Sequence, residues 1–184
     1  MAIMISARVC TLFALLTVAT PAASALGQDQ DIAVSNVRGV DDAASALIRD
    51  LVARSATARQ LVDQIDRSDL VVYVRRRLLS TVLLNGRIGF VQSDCSRRLA
   101  AIEVAAPRNY VEELSALGHE LQHAVEIASD PTVCSSTSLA ALYTRIGDPT
   151  AQSTASEESY ETRAAAEVGL RIRHEVMQAA AHEN

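Results

Sequence analysis

Tryptophan and lysine are absent from the 184 residues, and aromatic residues amount to only 3%. With 49% hydrophobic residues, the core must come mainly from Ala, Val, Leu and Ile. That mix suits helices packed around a modest sheet and argues against disorder. Basic clusters are scarce. All seventeen basic residues are Arg, the formal net charge is −5, and the one dense basic stretch is Arg75-Arg76-Arg77. Nucleic acid is excluded as a favoured partner on that balance, and the triplet reads as the solvated end of a strand. Nothing in the physical chemistry of the chain demands arginine in place of lysine.

Long hydrophobic runs are equally few. Val9 to Ala19 is apolar, follows a single positive charge at Arg8, and is too short for a comfortable membrane span. Ala23-Ser24-Ala25 then supplies the small residues that a signal peptidase needs. Residues 1–25 therefore read as a cleavable secretory signal, with no membrane association once it is removed. The expected location is secreted or periplasmic. Loss of Arg8 takes the charge from −5 to −6. Residues 26–40 are polar and aperiodic and read as a flexible leader, either a tether or an autoinhibitory segment. Residues 41–184 suffice for one domain around a single core. Cys95 and Cys134 remain after processing. They are either two buried thiols or one disulfide, which would close a loop of about 40 residues and contribute about 3–4 kcal/mol.

Apolar spacing predicts helices over Asp41–Arg54 and Thr57–Asp66. Leu70–Val74 reads as a buried strand, and Leu99–Ala105 as another. Leu78–Leu84, Asn85-Gly86 and Ile88–Val91 predict a hairpin with a type I′ turn. From Pro107 the period becomes helical. Asn109 with Glu112 fits a variant capping box for a helix reaching about Ala128. A shorter helix over Ser138–Ile146 follows. Thr154 with Glu157 would cap a last helix that reaches about Ala180. The order predicts one α+β domain, a small sheet packed on a central helix with further helices on its N- and C-terminal sides.

The chemistry concentrates on that central helix. His119 and His123 are four apart, so both imidazoles share one face and can hold one metal ion. Two of the four histidines in the chain are thus in one motif. Zn²⁺ accepts imidazole nitrogen and leaves a position open when catalytic. Glu120 is rotated off the ligand pair and is placed to take a proton from water, the division of labour of His-Glu-x-x-His sites. A third ligand must come from elsewhere, because Glu126 and Ser129 stand where a metzincin continuation needs Gly and His. On the last predicted helix, Ala165, Val168, Ile172, Val176 and Ala179 fall within about 60° of Glu161. Glu161 therefore shares the inward stripe, and a buried carboxylate there needs a charge partner such as a metal. Glu157, one turn earlier, competes with it.

His119–Val125, read His-Glu-Leu-Gln-His-Ala-Val, resembles the active helix of thermolysin-like zincins. In such gluzincins the third ligand is a Glu on a later helix, which the resemblance assigns to Glu161 or Glu157. An acidic residue commonly follows that ligand four positions on. After Glu161 this position is Ala165, whereas Glu157 would have Glu161 there. The likeness covers about 20 residues around the active helix plus the last helix, and the chain is far shorter than thermolysin. It implies a minimal zincin-like fold and a zinc-dependent metallopeptidase acting on a peptide or protein substrate. A strand near the active helix, Leu99–Ala105, is the one expected to pair with it.

Weaker candidates surround this set. Glu126 projects within about 20° of His119 and can orient a ligand, although pairing with an Arg is its plainer role. Tyr143, Tyr160 and His174 are candidates to stabilise an oxyanion, with packing or surface exposure the simpler reading of each. Cys95 as a thiolate ligand is the remaining metal alternative. The competing functional class is a non-catalytic secreted zincin-like module that binds zinc structurally or docks a partner. Hydrolysis of a non-peptide amide is a third.

Overall fold

A computed structural model describes residues 34–77, 86–93, 95, 97–106, 109–148 and 161–182. In chain order these form β1 (Val37–Gly39), α1 (Asp42–Arg54), α2 (Ala56–Asp66), β2 (Leu70–Arg77), β3 (Gly86–Ser93), β4 (Arg98–Ala105), α3 (Tyr110–Ala128), α4 (Ser136–Ile146) and α5 (Arg163–His182). The class is α+β, as composition and order predict. Residues 1–33 lie outside the described residues, so the reading of residues 1–25 as a cleavable signal does too.

Helix starts follow their side-chain caps. Asp41 accepts the Ala44 N–H at 2.7 Å to begin α1, and Ser55 accepts the Ala58 N–H at 2.9 Å to begin α2. Asn109 accepts the Val111 N–H at 2.9 Å at the head of α3. Glu112 does not complete a capping box. It reaches instead to Arg173 of α5 at 2.7 Å. Ser135 and Ser138 form a reciprocal box that starts α4 two residues before the predicted position. Each such cap satisfies an otherwise orphaned N–H and is worth about 1 kcal/mol.

The strands form a mixed sheet in the order β1-β2-β4-β3, parallel except for the antiparallel β3–β4 pair. One expectation fails here. Val37–Gly39, assigned to the leader, is a strand: Val37 is buried, and Asn36 is tied to the Ile65 and Ser68 carbonyls. Three residues are too few to show a period, which is why sequence missed it. Gly86 is the first residue of β3 and pairs with Val104, while Asn85 of the predicted type I′ turn lies outside the described residues. The other predicted arm, Leu78–Leu84, lies outside the described residues. β3 pairs with β4.

Alternation in β2 and β4 buries Leu70, Val72, Val74, Ala100, Ile102 and Val104 against the helices. α3 lies across them and buries Leu114, Leu117, Leu121 and Ile127 completely. Truncating any one of these to Ala costs about 2–5 kcal/mol. α5 packs closely on α3 because two glycines face each other's helix. A Cβ on Gly118 would fall 2.3 Å from Ile172 Cδ1, and one on Gly169 would touch His119 Cβ at 3.4 Å.

Two charged features hold the ends of α3. Arg76, predicted as part of a solvated triplet, forms a bidentate pair with Glu113, whose side chain is 2% exposed. Its neighbour Arg77 pairs with Glu103 at 2.8 Å. At the other end the Arg98 guanidinium, 1% exposed, bonds to Asp69 and donates to the Ile127 and Asp130 carbonyls at 2.8 and 3.0 Å. A cation on these orphaned carbonyls also opposes the negative end of the helix dipole. A disulfide joins Cys95 to Cys134, which removes Cys95 as a metal ligand. No helix among the described residues is long and apolar enough to cross a membrane.

Candidate metal centre

α3 presents His119 and His123 one turn apart, and the turn entering α5 brings Glu161 to them. The His119 and His123 Nε2 atoms are 3.2 Å apart, and Glu161 Oε2 lies 3.4 Å from His119 Nε2. All three ligand atoms fall within 4.8 Å of one another, so the group can hold a metal ion. Zinc bonds of about 2.0–2.1 Å at tetrahedral angles put neighbouring ligand atoms about 3.3 Å apart. The two spacings at His119 match that figure, and the third, between His123 and Glu161, falls within 4.8 Å. The donor set, two imidazoles and a carboxylate, is also the one zinc favours at sites that keep a fourth position open.

The remaining ring nitrogens are held by other partners. His123 Nδ1 is 2.9 Å from Glu126 Oε2. A carboxylate only accepts, so Nδ1 carries the proton and the Nε2 lone pair points toward His119. This is the carboxylate–histidine pairing that fixes metal ligands. Nδ1 of His119 lies beside Gly169 of α5, and the ring bonds to the Ala165 backbone. Glu126 therefore does what its angular position allowed, and the expected arginine partner is replaced by His123 and Thr162.

Glu161 reaches the site by a route different from the predicted one. It does not lie on the apolar stripe of a helix, because α5 begins only at Arg163. Glu161 and Thr162 precede that helix, and the Thr162 hydroxyl accepts the Ala165 N–H at 3.1 Å. Thr154, Glu157 and Tyr160 lie outside the described residues, so the competing ligand Glu157 and the predicted cap do as well.

Electrostatics at the site are dominated by burial. Desolvation, with the charge of His123 beside it, pushes the His119 pKa down to about 4. Burial, reinforced by Glu161, pushes the Glu120 carboxyl up to about 7, against the pull of His123. Burial alone would lower His123, but the Glu126 hydrogen bond and the Glu120, Glu126 and Glu161 charges outweigh it and raise the pKa. Burial likewise raises Glu161. Glu120 itself is 6% exposed, and its Oε1 lies 2.8 Å from where a Cβ on Gly86 would stand. The start of β3 is thus moulded around this carboxylate.

Tyr143 is buried with its ring edge-on to His123, centroids 5.4 Å apart. Burial, followed by the charges of Glu126 and Glu120, raises its phenol pKa. It packs beside the His123 ring, with Glu126 also against its hydroxyl. His174 is exposed on the outer side of α5, away from the cluster. Sequence reasoning missed Thr162, Gly86 and the Ala165 backbone. Only Thr162 left a readable trace, as a Thr three residues before a helical N–H that it can cap. Comparison with models of known families, with curated proteins and with solved structures found no match to this chain.

Proposed function

We propose that the chain is an exported zinc-dependent metallopeptidase of gluzincin type, with His119, His123 and Glu161 as zinc ligands and Glu120 as the catalytic acid–base. The observation that carries this reading is the 3.2 and 3.4 Å spacing of the three ligand atoms. A small mixed sheet packed on the ligand-bearing helix is consistent with a minimal zincin-like fold, and a disulfide is consistent with an oxidising compartment.

Zinc, when bound, supplies Lewis acidity toward a scissile carbonyl and toward water. The chain supplies the rest. Glu120 accepts the proton of the attacking water and passes it to the leaving amine, so that water and a peptide bond become a carboxylate and an amine. A resting pKa of about 7 suits a group that must both take and give a proton, and a nearby cation draws the value down. The substrate strand expected at Leu99–Ala105 is a correction: β4 is paired on both sides, by β2 and β3. Among the described residues β3 is an edge strand, and its first residue touches Glu120. An extended peptide added along β3 would pass the proton acceptor.

The test is metal analysis and digestion of a mixed peptide pool by the purified chain. One equivalent of zinc with cleavage is expected, and His123→Ala should lose the zinc. Zinc without cleavage would reassign the chain as a zinc-binding module.

A further inference from the structure

Thr162 turns its backbone N–H and its hydroxyl to the metal site, while its carbonyl accepts the Ala166 N–H at 3.1 Å. Its backbone N–H donates to Glu161 Oε1 at 3.0 Å, leaving Oε2 directed at His119. Its hydroxyl donates to Glu126 Oε1 at 2.7 Å and accepts the Ala165 N–H at 3.1 Å. Glu126 in turn uses its other oxygen on His123 Nδ1. The side chain is 3% exposed, so water cannot replace these bonds without cost. A hydroxyl has one proton, and capping a helix requires only that it accept. The proton is therefore free to be given to Glu126, and the geometry shows that it is.

We propose that Thr162 is the positioning residue of this site: through Glu126 it fixes His123 as the Nδ1–H tautomer, while its backbone orients the Glu161 carboxylate. The two ligands from distant parts of the chain are thereby set by a single residue, and the start of α5 is locked to the same point. Without the hydroxyl proton, Glu126 loses one of the bonds that orient it, and the His123 ring is held less firmly with its protonated nitrogen turned from the metal position. This inference rests on the metal-site reading for its consequence in affinity, but not for its structural content.

The experiment compares wild type with Thr162→Val, Thr162→Ser and Glu126→Ala. Imidazole ¹⁵N shifts of His123 are recorded in metal-free protein, and zinc affinity by competition with a chelating dye. Wild type and Thr162→Ser should show the Nδ1–H tautomer. Thr162→Val should show a mixture and bind zinc about 10- to 100-fold more weakly, as loss of such supporting partners does. In the Glu126→Ala background Thr162→Val should add little further loss, because the two act in series. Losses that add fully would assign Thr162 to helix capping alone. An unchanged His123 tautomer in Thr162→Val would overturn the proposal. Should wild type bind no zinc, the tautomer spectra still decide it, so failure of the metal reading and failure of this one are distinguishable.

Discussion

The two ends of α3 and its middle are built from the same kinds of residue and differ in charge balance. At the ends each buried charge meets its opposite: Glu113 has Arg76, and Arg98 has Asp69 with the helix carbonyls. In the middle, Glu120, Glu126 and Glu161 gather around two histidines, and among the described residues the ion pairs formed there are to imidazoles alone. Among the described residues no arginine stands among the causes of the shifts of Glu120 or Glu161. Burying like charges without a counter-charge is costly, and the ordinary remedies are protonation or a cation. The ends therefore read as structure and the middle as a receptor for positive charge.

The sharpest way to separate the two is Glu120→Gln. With zinc retained, peptide cleavage should fall at least about 10²–10⁴-fold, the usual share of a general acid–base; full activity would refute its role. At the C-terminal end, Arg98→Met should do the opposite. It leaves the last carbonyls of α3 without a donor and should lower unfolding stability by about 2–4 kcal/mol in a urea titration, while the folded fraction binds zinc with unchanged affinity. Weakened zinc binding there would erase the distinction between end and middle. Gly86→Ala places a methyl against the Glu120 carboxylate. A fall in kcat of about tenfold at constant zinc content is expected. If kcat holds while zinc is lost, the strand shapes the ligands and not the proton acceptor.

The smallest effect is in pH. Glu120 has a folded pKa of about 7, above its ordinary 4.5. Its contribution to stability is thus complete below the unfolded pKa and is lost as pH rises through about 7. Metal-free Glu120→Gln should accordingly gain on wild type between these limits and level off above them, as read by melting temperature. Zinc should narrow the gap by neutralising the carboxylate.

Much of this contrast was legible in the residues themselves. Spacing alone put His119 and His123 on one face, and Asn109 marked the helix that carries them. Glu161 was reached from a helical stripe that does not extend to it; what brings it in is the capped turn at Thr162, whose long-range bond to Glu126 has no signature in local spacing. The role of Arg98 was not legible, because a guanidinium reaching the carbonyls of Ile127 and Asp130 leaves no periodic mark. β1 was too short to declare itself, and Gly86 was read as a turn because Asn-Gly commonly is one. Local caps and amphipathic faces were readable. Partners made by the fold were not.

Zinc K-edge absorption on the loaded chain tests the central claim most directly. Two imidazole nitrogens at about 2.0–2.1 Å with carboxylate and solvent oxygens completing a four-coordinate shell are predicted, and His123→Ala, which loses the zinc, should show no such shell. A shell of oxygens alone, or a shell unchanged by that substitution, would contradict it.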